Sequence, residues 1–204
     1  MKKPKILFFD VGGVCLSNGW DEKSRRKAAK HFSFAFEEME RRHKPVFGPF
    51  EKGKISLNDY LSKILFYKKQ PFSRDEFIRF MKAESKAHET TLKLLGPLKR
   101  KSGCLLATLN NEPLELNCFR IEKFGLRDYF SFFLSSCFLG VRKPEPEIFE
   151  RALQLTQCVP EECLFIDDRL ENVKAARALG LRTIHLKEVP ELAAELKARG
   201  IECQ

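Results

Sequence analysis

Lys5-Ile6-Leu7-Phe8-Phe9-Asp10 is a run of four apolar residues that stops at a carboxylate. An unbroken apolar run of this length reads as a strand buried on both faces, the kind found in parallel sheets. Similar runs recur at 104–109, 163–166 and 182–186, and a weaker one lies at 132–135. Helical patterns at 112–124, 170–179 and 190–199 alternate with them, each followed by a glycine (Gly125, Gly180, Gly200) suited to a left-handed helix cap. Strand and helix in alternation predict an α/β chain: a three-layer α/β/α, Rossmann-like parallel sheet of five strands.

Between the first two strands the pattern changes. Residues 17–92 hold no convincing strand, and Leu57, Leu61, Ile64 and Leu65 fall on one helical face. Ser73 with Glu76 forms a capping box ahead of Phe77, Phe80 and Met81. Phe32, Phe36 and Met39 predict a further amphipathic helix. The expected division is therefore an α/β core from residues 1–16 and 93–204, with a small helical cap domain at 17–92.

At 204 residues, with 43% hydrophobic and 32% charged side chains, the chain is long enough to bury a core without disulfides, and its 19 Phe exclude a disordered reading. No segment reaches the ~20 apolar residues of a membrane span, and the apolar run after Lys5 is too short for a signal peptide. A cytoplasmic location is expected. Seven cysteines, an odd number without a Cys-x-x-Cys pair, fit small buried hydrophobes rather than disulfides. His31, His43, His88 and His185 are not spaced as zinc ligands. The net charge of +9 favours anionic partners. Residues 20–89 carry seventeen Lys and Arg against eleven Asp and Glu, densest at Arg25-Arg26-Lys27 and Arg41-Arg42-His43-Lys44. With no nucleic-acid-binding motif beside them, they read as solvated helix faces that steer an anionic small molecule, and no nucleic-acid or membrane partner is expected.

Ligands of open parallel sheets bind at the carboxyl ends of the strands. The first strand ends in Asp10-Val11-Gly12-Gly13-Val14 and the second in Asn110-Asn111. A loop after the weak strand carries Arg142-Lys143-Pro144, and the fourth strand ends in Asp167-Asp168. Carboxylates, amides, a lysine and glycines at one sheet edge suit a magnesium ion and a phosphoryl group. Magnesium takes hard oxygen ligands, a lysine and amides hold phosphate oxygens, and an aspartate serves as nucleophile.

These four blocks, Phe8-Phe9-Asp10-Val11-Gly12-Gly13-Val14, Leu109-Asn110-Asn111, Arg142-Lys143-Pro144-Glu145-Pro146-Glu147-Ile148-Phe149 and Phe165-Ile166-Asp167-Asp168-Arg169 with Asn172, resemble the sequence blocks of the haloacid dehalogenase-like (HAD) hydrolase superfamily, in its subgroup with a helical cap inserted after the first strand. The resemblance covers essentially the whole chain. It implies a hydrolase, a probable phosphoric monoester hydrolase, with the first strand central between the second and fourth. Asp10 then resembles the nucleophile and Asp168 the magnesium carboxylate. The Gly12 carbonyl would be another ligand, and Asp167 a supporting carboxylate. Lys143 would neutralise nucleophile and phosphate. Asn110 stands where Ser or Thr is usual, with Asn111 after it, both as phosphate-binding amides; Thr108 is the alternative if the register shifts. The implied reaction is Mg2+-dependent hydrolysis of a small-molecule phosphate ester through an aspartyl-phosphate on Asp10.

The departure is at Gly12, where most phosphatases of the superfamily carry a second aspartate as general acid and base, a device worth ~10²–10⁴-fold. Three resolutions stay open. The substrate has a leaving group that needs little protonation, as in the sugar 1-phosphate phosphatases that members with Gly here resemble. Or a cap residue supplies the proton, with His43, Glu51 and His31 as candidates. Or the protein is weakly active or non-catalytic and binds a ligand or partner. A 2-haloacid dehalogenase is the remaining reading, opposed by Asp168, which a metal-free site does not need.

Overall fold

The computed structural model of the protein describes residues 3–202. Its sheet has five parallel strands, β1 (Ile6–Phe9), β2 (Leu105–Asn110), β3 (Phe132–Ser135), β4 (Cys163–Asp167) and β5 (Arg182–His185), in the order β3-β2-β1-β4-β5. β1 is central, as expected, and Phe9 lies level with Thr108 on one side and Ile166 on the other.

Alternate residues of each strand point to opposite faces, and both faces are buried. Leu7, Phe9, Leu106, Leu164 and Ile166 pack under α5 (Glu89–Lys101), α6 (Leu114–Lys123) and α10 (Leu192–Lys197), through Leu95, Leu98, Ile121, Leu192 and Leu196. Ile6, Phe8, Ala107, Leu109 and Phe165 pack under α8 (Pro146–Thr156) and α9 (Leu170–Ala178), through Ile148, Phe149, Ala152 and Ala176. These are the three layers of a Rossmann-like α/β/α fold. The C-terminal helix is shorter than the 190–199 expectation, because its first residues form a 3-10 turn.

Four helices fill the stretch between β1 and α5: α1 (Glu22–Phe32), α2 (Phe36–Glu51), α3 (Leu57–Ile64) and α4 (Arg74–Ala83). They share a separate apolar cluster of Trp20, Met39, Phe50, Tyr60, Leu61, Ile64, Phe77 and Met81, to which α6 adds Leu116. The predicted capping box at Ser73 and Glu76 is formed. The Phe32, Phe36, Met39 stripe, however, belongs to two helices. Ser33 takes the left-handed conformation (φ 56°) and its N–H bonds Ala29 O, so α1 stops and α2 starts three residues later. The chain leaves and re-enters the sheet domain side by side. Leu16 bridges Ala87, and Ser17 N–H donates to Lys86 O.

No helix among the described residues is long and apolar enough to cross a membrane. The six described cysteines are free thiols; Cys15, Cys104 and Cys163 are buried, but Cys118 is exposed, contrary to the reading of cysteines as core residues. Cys203 lies outside the described residues. Ser136–Leu139 forms a single turn, α7, directly after β3.

Candidate active site

β1 and β4 are hydrogen-bonded neighbours, and Asp10 N–H continues the ladder by donating to Ile166 O (2.9 Å). This brings together carboxylates 157 positions apart in sequence: one oxygen each from Asp10, Asp167 and Asp168 lies within 4.8 Å of the others. Lys143, 1% exposed, reaches into the group from the loop ahead of α8. Its Nζ is 3.0 Å from Asp10 Oδ2 and 2.6 Å from Asp167 Oδ2.

Each carboxylate has a different setting. Asp10 Oδ1 accepts from Val11 N–H (2.7 Å), leaving Oδ2 toward the lysine. Asp167 is fully buried and heavily engaged. Oδ1 accepts from Arg169 N–H (2.8 Å) and Asn172 Nδ2 (3.1 Å), while Oδ2 holds Lys143. It therefore anchors the start of α9 and aims the lysine. Asp168 is half-buried, and its Oδ1 has no hydrogen-bond partner although it is shielded from solvent.

The charges are unbalanced. Burial pushes Asp10 well above the usual carboxylate range, helped by Asp167 and Asp168 and opposed by Lys143. Burial and Asp167 raise Asp168 as well. Burial alone would lower Lys143, but Asp10 and Asp167 outweigh it and raise it, so it is a fixed ammonium. The loop after β1 is shaped to these groups. Gly13 has φ 78°, and a Cβ there would overlap the Asp168 carboxylate, so only glycine fits. Gly12 has no side chain to offer, and a Cβ would come 3.1 Å from Asn18 Oδ1.

A cavity of about 380 Å3 opens over this cluster, with Asp10, Gly12, Asn111, Lys143 and Asn172 on the sheet side and Trp20, Arg25, Glu40, His43, Lys44, Phe47 and Glu51 on the inserted segment. The two amides of the second block play other parts than the phosphate contacts expected of them. Asn110 is 1% exposed and outside the lining. Its Oδ1 accepts from Ser135 Oγ (2.9 Å) and its Nδ2 donates to Asn117 Oδ1 (3.2 Å), so β2 turns it inward to tie β3 and α6 together. Thr108, the alternative, is fully buried in β2. Asn111 lines the cavity, but both ends of its carboxamide clamp the Lys143 backbone, accepting from N–H and donating to C=O at 2.8 Å each.

Of the three candidate proton donors, His31 is out of reach. It is exposed at the end of α1, stacked on Phe80. His43 and Glu51 both line the cavity. His43 ends a chain in which Trp20 Nε1 donates to Tyr60 Oη (2.8 Å), 2.7 Å from His43 Nδ1. The indole only donates, so Tyr60 Oη accepts from Trp20 and shares a hydrogen bond with His43 Nδ1. Burial, then Arg25, lowers the His43 pKa to about 4, so the ring is neutral at pH 7.

Two features of the site were invisible in the sequence. Arg120 of α6, 2% exposed, pairs with Glu112 and donates to Ser17 O, bracing the segment that leads out to the inserted helices. Arg25, read as part of a solvated basic face, is buried, with its guanidinium on Glu40 (2.8 and 2.9 Å) and Trp20 O (3.0 Å).

Comparison with known proteins agrees with this geometry. The chain is 29% identical over 201 residues to flavin mononucleotide hydrolase 1 of Arabidopsis thaliana, covering 98% of this chain and 79% of that one. It is 25% identical over 204 residues to D-ribitol-5-phosphate phosphatase of Bacteroides thetaiotaomicron, covering 94% and 96%. A HAD family enzyme of Bacteroides thetaiotaomicron, crystallised with magnesium and inorganic phosphate, superimposes with a TM-score of 0.72 at 25% identity, over 89% of this chain and 93% of that one. A family model matches residues 4–180, and the chain belongs to the haloacid dehalogenase-like hydrolases.

Proposed function

We propose that the protein is a Mg2+-dependent phosphatase that hydrolyses a small phosphorylated metabolite through an aspartyl-phosphate on Asp10. The observation that carries this is the cluster of Asp10, Asp167 and Asp168 around the Lys143 ammonium, with Asp10 and Lys143 in the lining of the cavity. Three carboxylates against one lysine leave an excess of negative charge, and the unpartnered, shielded Asp168 Oδ1 is an oxygen that lacks a cation. This donor set fits magnesium, with Asp10, Asp168 and the Gly12 carbonyl as its protein ligands and Asp167 in support. Bound magnesium supplies Lewis-acid neutralisation of the phosphoryl oxygens.

The chain's own residues do the rest. Asp10 Oδ2 is the nucleophile, because Val11 N–H holds Oδ1. Lys143 offsets the charge that builds on the phosphoryl oxygens. Asn111 and Asp167 lock Lys143 at its backbone and its ammonium, so that it is in place before substrate arrives. The inserted segment, residues 17–92, acts as a cap that contributes Arg25, Glu40, His43 and Lys44 to the substrate's organic part. That polar wall suits a hydroxylated chain. The substrates named by the two relatives, flavin mononucleotide and D-ribitol 5-phosphate, both carry phosphate on the terminal oxygen of a ribityl chain. We therefore place the substrate among phosphates of primary alcohols on polyol chains, dissolved in the cytoplasm.

The test is Asp10→Asn assayed on flavin mononucleotide, D-ribitol 5-phosphate and p-nitrophenyl phosphate, with magnesium and with chelator. The wild type should turn over at least one of them only with magnesium, and the variant should be inactive but folded. Residual turnover above a few per cent would rule Asp10 out as nucleophile.

A further inference from the structure

A phosphate of a primary alcohol has a basic leaving oxygen that needs a proton, and Gly12 has none to give. We propose that Glu51, at the last turn of α2, protonates the departing ester oxygen and then takes a proton from the attacking water. This rests on the phosphatase reading.

Among the described residues lining the cavity, Asp10 is the nucleophile and the other acids besides Glu51 are committed. Asp21 caps α1 by accepting from Ser24 N–H (2.8 Å), Glu22 pairs with Arg26, Glu40 is held on two oxygens by Arg25, and Glu112 pairs with Arg120. Glu51 is 7% exposed, yet its Oε2 accepts no hydrogen bond. Arg142 Nη1 lies 3.0 Å from it but misaligned for one. Glu51 lines the reaction cavity, and a shielded carboxyl oxygen without a hydrogen-bond partner is a rare arrangement unless something uses it.

The end of α2 is also placed firmly. Ser136 Oγ of α7 donates to Glu51 O (2.6 Å), Lys52 pairs with Glu145 (2.7 Å), and Gly53 comes so close that a Cβ would lie 2.6 Å from Cys137 O. Every anchor belongs to the segment 136–145 that carries Lys143. Glu51 and the phosphate-holding lysine are thus set by one piece of backbone, and a general acid requires such positioning.

Its protonation suits the task. Burial pushes Glu51 up to about 7; Arg142 pulls down, Glu112 pushes up, and Arg169 and Lys143 pull down less. Near neutral pH it both gives and takes a proton, whereas neutral His43, with its pKa lowered to about 4, cannot serve as an acid.

The steps balance. Asp10 Oδ2 attacks phosphorus, the bond from phosphorus to the ester oxygen breaks, and that oxygen takes the Glu51 proton to leave as an alcohol. Glu51, now a carboxylate, accepts a proton as water attacks the aspartyl-phosphate. The bond from phosphorus to Asp10 breaks, inorganic phosphate leaves, and both carboxyl groups return to their starting states.

The experiment compares wild type with Glu51→Gln on D-ribitol 5-phosphate and p-nitrophenyl phosphate, with magnesium, from pH 5 to 9. Nitrophenolate leaves without help. The variant should lose about 100-fold or more in kcat/KM on the alkyl ester and less than about threefold on the aryl ester. In the wild type, kcat/KM on the alkyl ester should fall as pH rises through about 7, because the acid form is lost, and this limb should vanish in Glu51→Gln. Glu51→Asp, which keeps the carboxyl but shortens its reach, should also lower the alkyl-to-aryl ratio, and it decides the matter if Gln disturbs folding. Equal losses on both esters, or an unchanged ratio in Glu51→Asp, would overturn the role of Glu51 while leaving the phosphatase standing. A wild type that hydrolyses none of flavin mononucleotide, D-ribitol 5-phosphate and p-nitrophenyl phosphate with magnesium overturns the phosphatase reading, and the inference with it.

Discussion

At the scale of single residues, the site stores unfavourable electrostatics. Asp10, Asp167 and the half-buried Asp168 crowd one lysine where burial weakens screening by water. Burial, then Asp167, raises the Asp168 pKa, so ionising this group costs more in the folded chain than in the unfolded one. As pH rises above the unfolded value, the unfolded chain ionises freely and the folded chain does so at a cost, and stability falls. Asp168→Asn removes that cost. In chelator at pH 7.5 the variant should melt at the same temperature as the wild type or higher. Added magnesium should raise the wild-type Tm, by an amount that grows with concentration over Kd, and leave the variant unmoved. A variant that still responds to magnesium would mean that Asp168 is not a ligand.

Among elements, the decisive joint is between α2 and α7. α2 is a helix of the insert, but its last turn is fastened to the backbone that follows β3. Gly53 makes this approach possible, with φ 66° and no Cβ. Gly53→Ala combines a strained conformation, worth about 1 kcal/mol, with a collision against Cys137 O. The end of α2 should lift from α7 and carry Glu51 with it. Hydrolysis of an alkyl phosphate should then fall at least about tenfold further than hydrolysis of p-nitrophenyl phosphate, with the melting of β-sheet structure changed little. Equal kinetics on both esters would show that this joint does not position the proton donor.

Over the whole molecule, two separately packed regions meet at the cavity. The sheet is sandwiched by its own helices, while the insert has its own aromatic cluster, in which Phe77 touches Trp20, Phe32, Phe66 and Phe72. Trp20, the single tryptophan, is buried there and donates to Tyr60. Its fluorescence therefore reports the insert, whereas far-ultraviolet circular dichroism reports the whole chain. Phe77→Ala should cost about 3–5 kcal/mol locally and lower the denaturant midpoint seen by Trp20 more than the midpoint seen by circular dichroism. Coincident shifts would mean that insert and sheet unfold as one unit. Much of the basic excess of the insert is neutralised locally, Arg25 by Glu40, Arg26 by Glu22 and Lys27 by Glu84. Steering of an anionic substrate then falls to groups such as Lys44 and Arg169, which stand exposed at the cavity.

What the sequence by itself determined is what short-range pattern encodes. Unbroken apolar runs that end in carboxylates specified strands buried on both faces, and with them the edge at which Asp10, Lys143, Asp167 and Asp168 gather. Helix caps such as Ser73 with Glu76 were legible because donor and acceptor are three residues apart. The break between α1 and α2 was not, because the apolar stripe runs on past Ser33 and one left-handed residue ends the helix without interrupting it. Only the tertiary structure decided the partners of polar side chains. Asn110 carries the same amide as Asn111, yet neighbours from β3 and α6 turn one inward while the Lys143 backbone takes the other. In the sequence, Glu51 is one of three candidates, beside His43 and His31. Its distinction comes from elements 85 and more residues away: Ser136 holds its carbonyl, Arg142 lies beside its carboxylate, and the packing around it leaves it 7% exposed. Burial periodicity is a local property of the chain, whereas the partner of a buried charge is chosen through space.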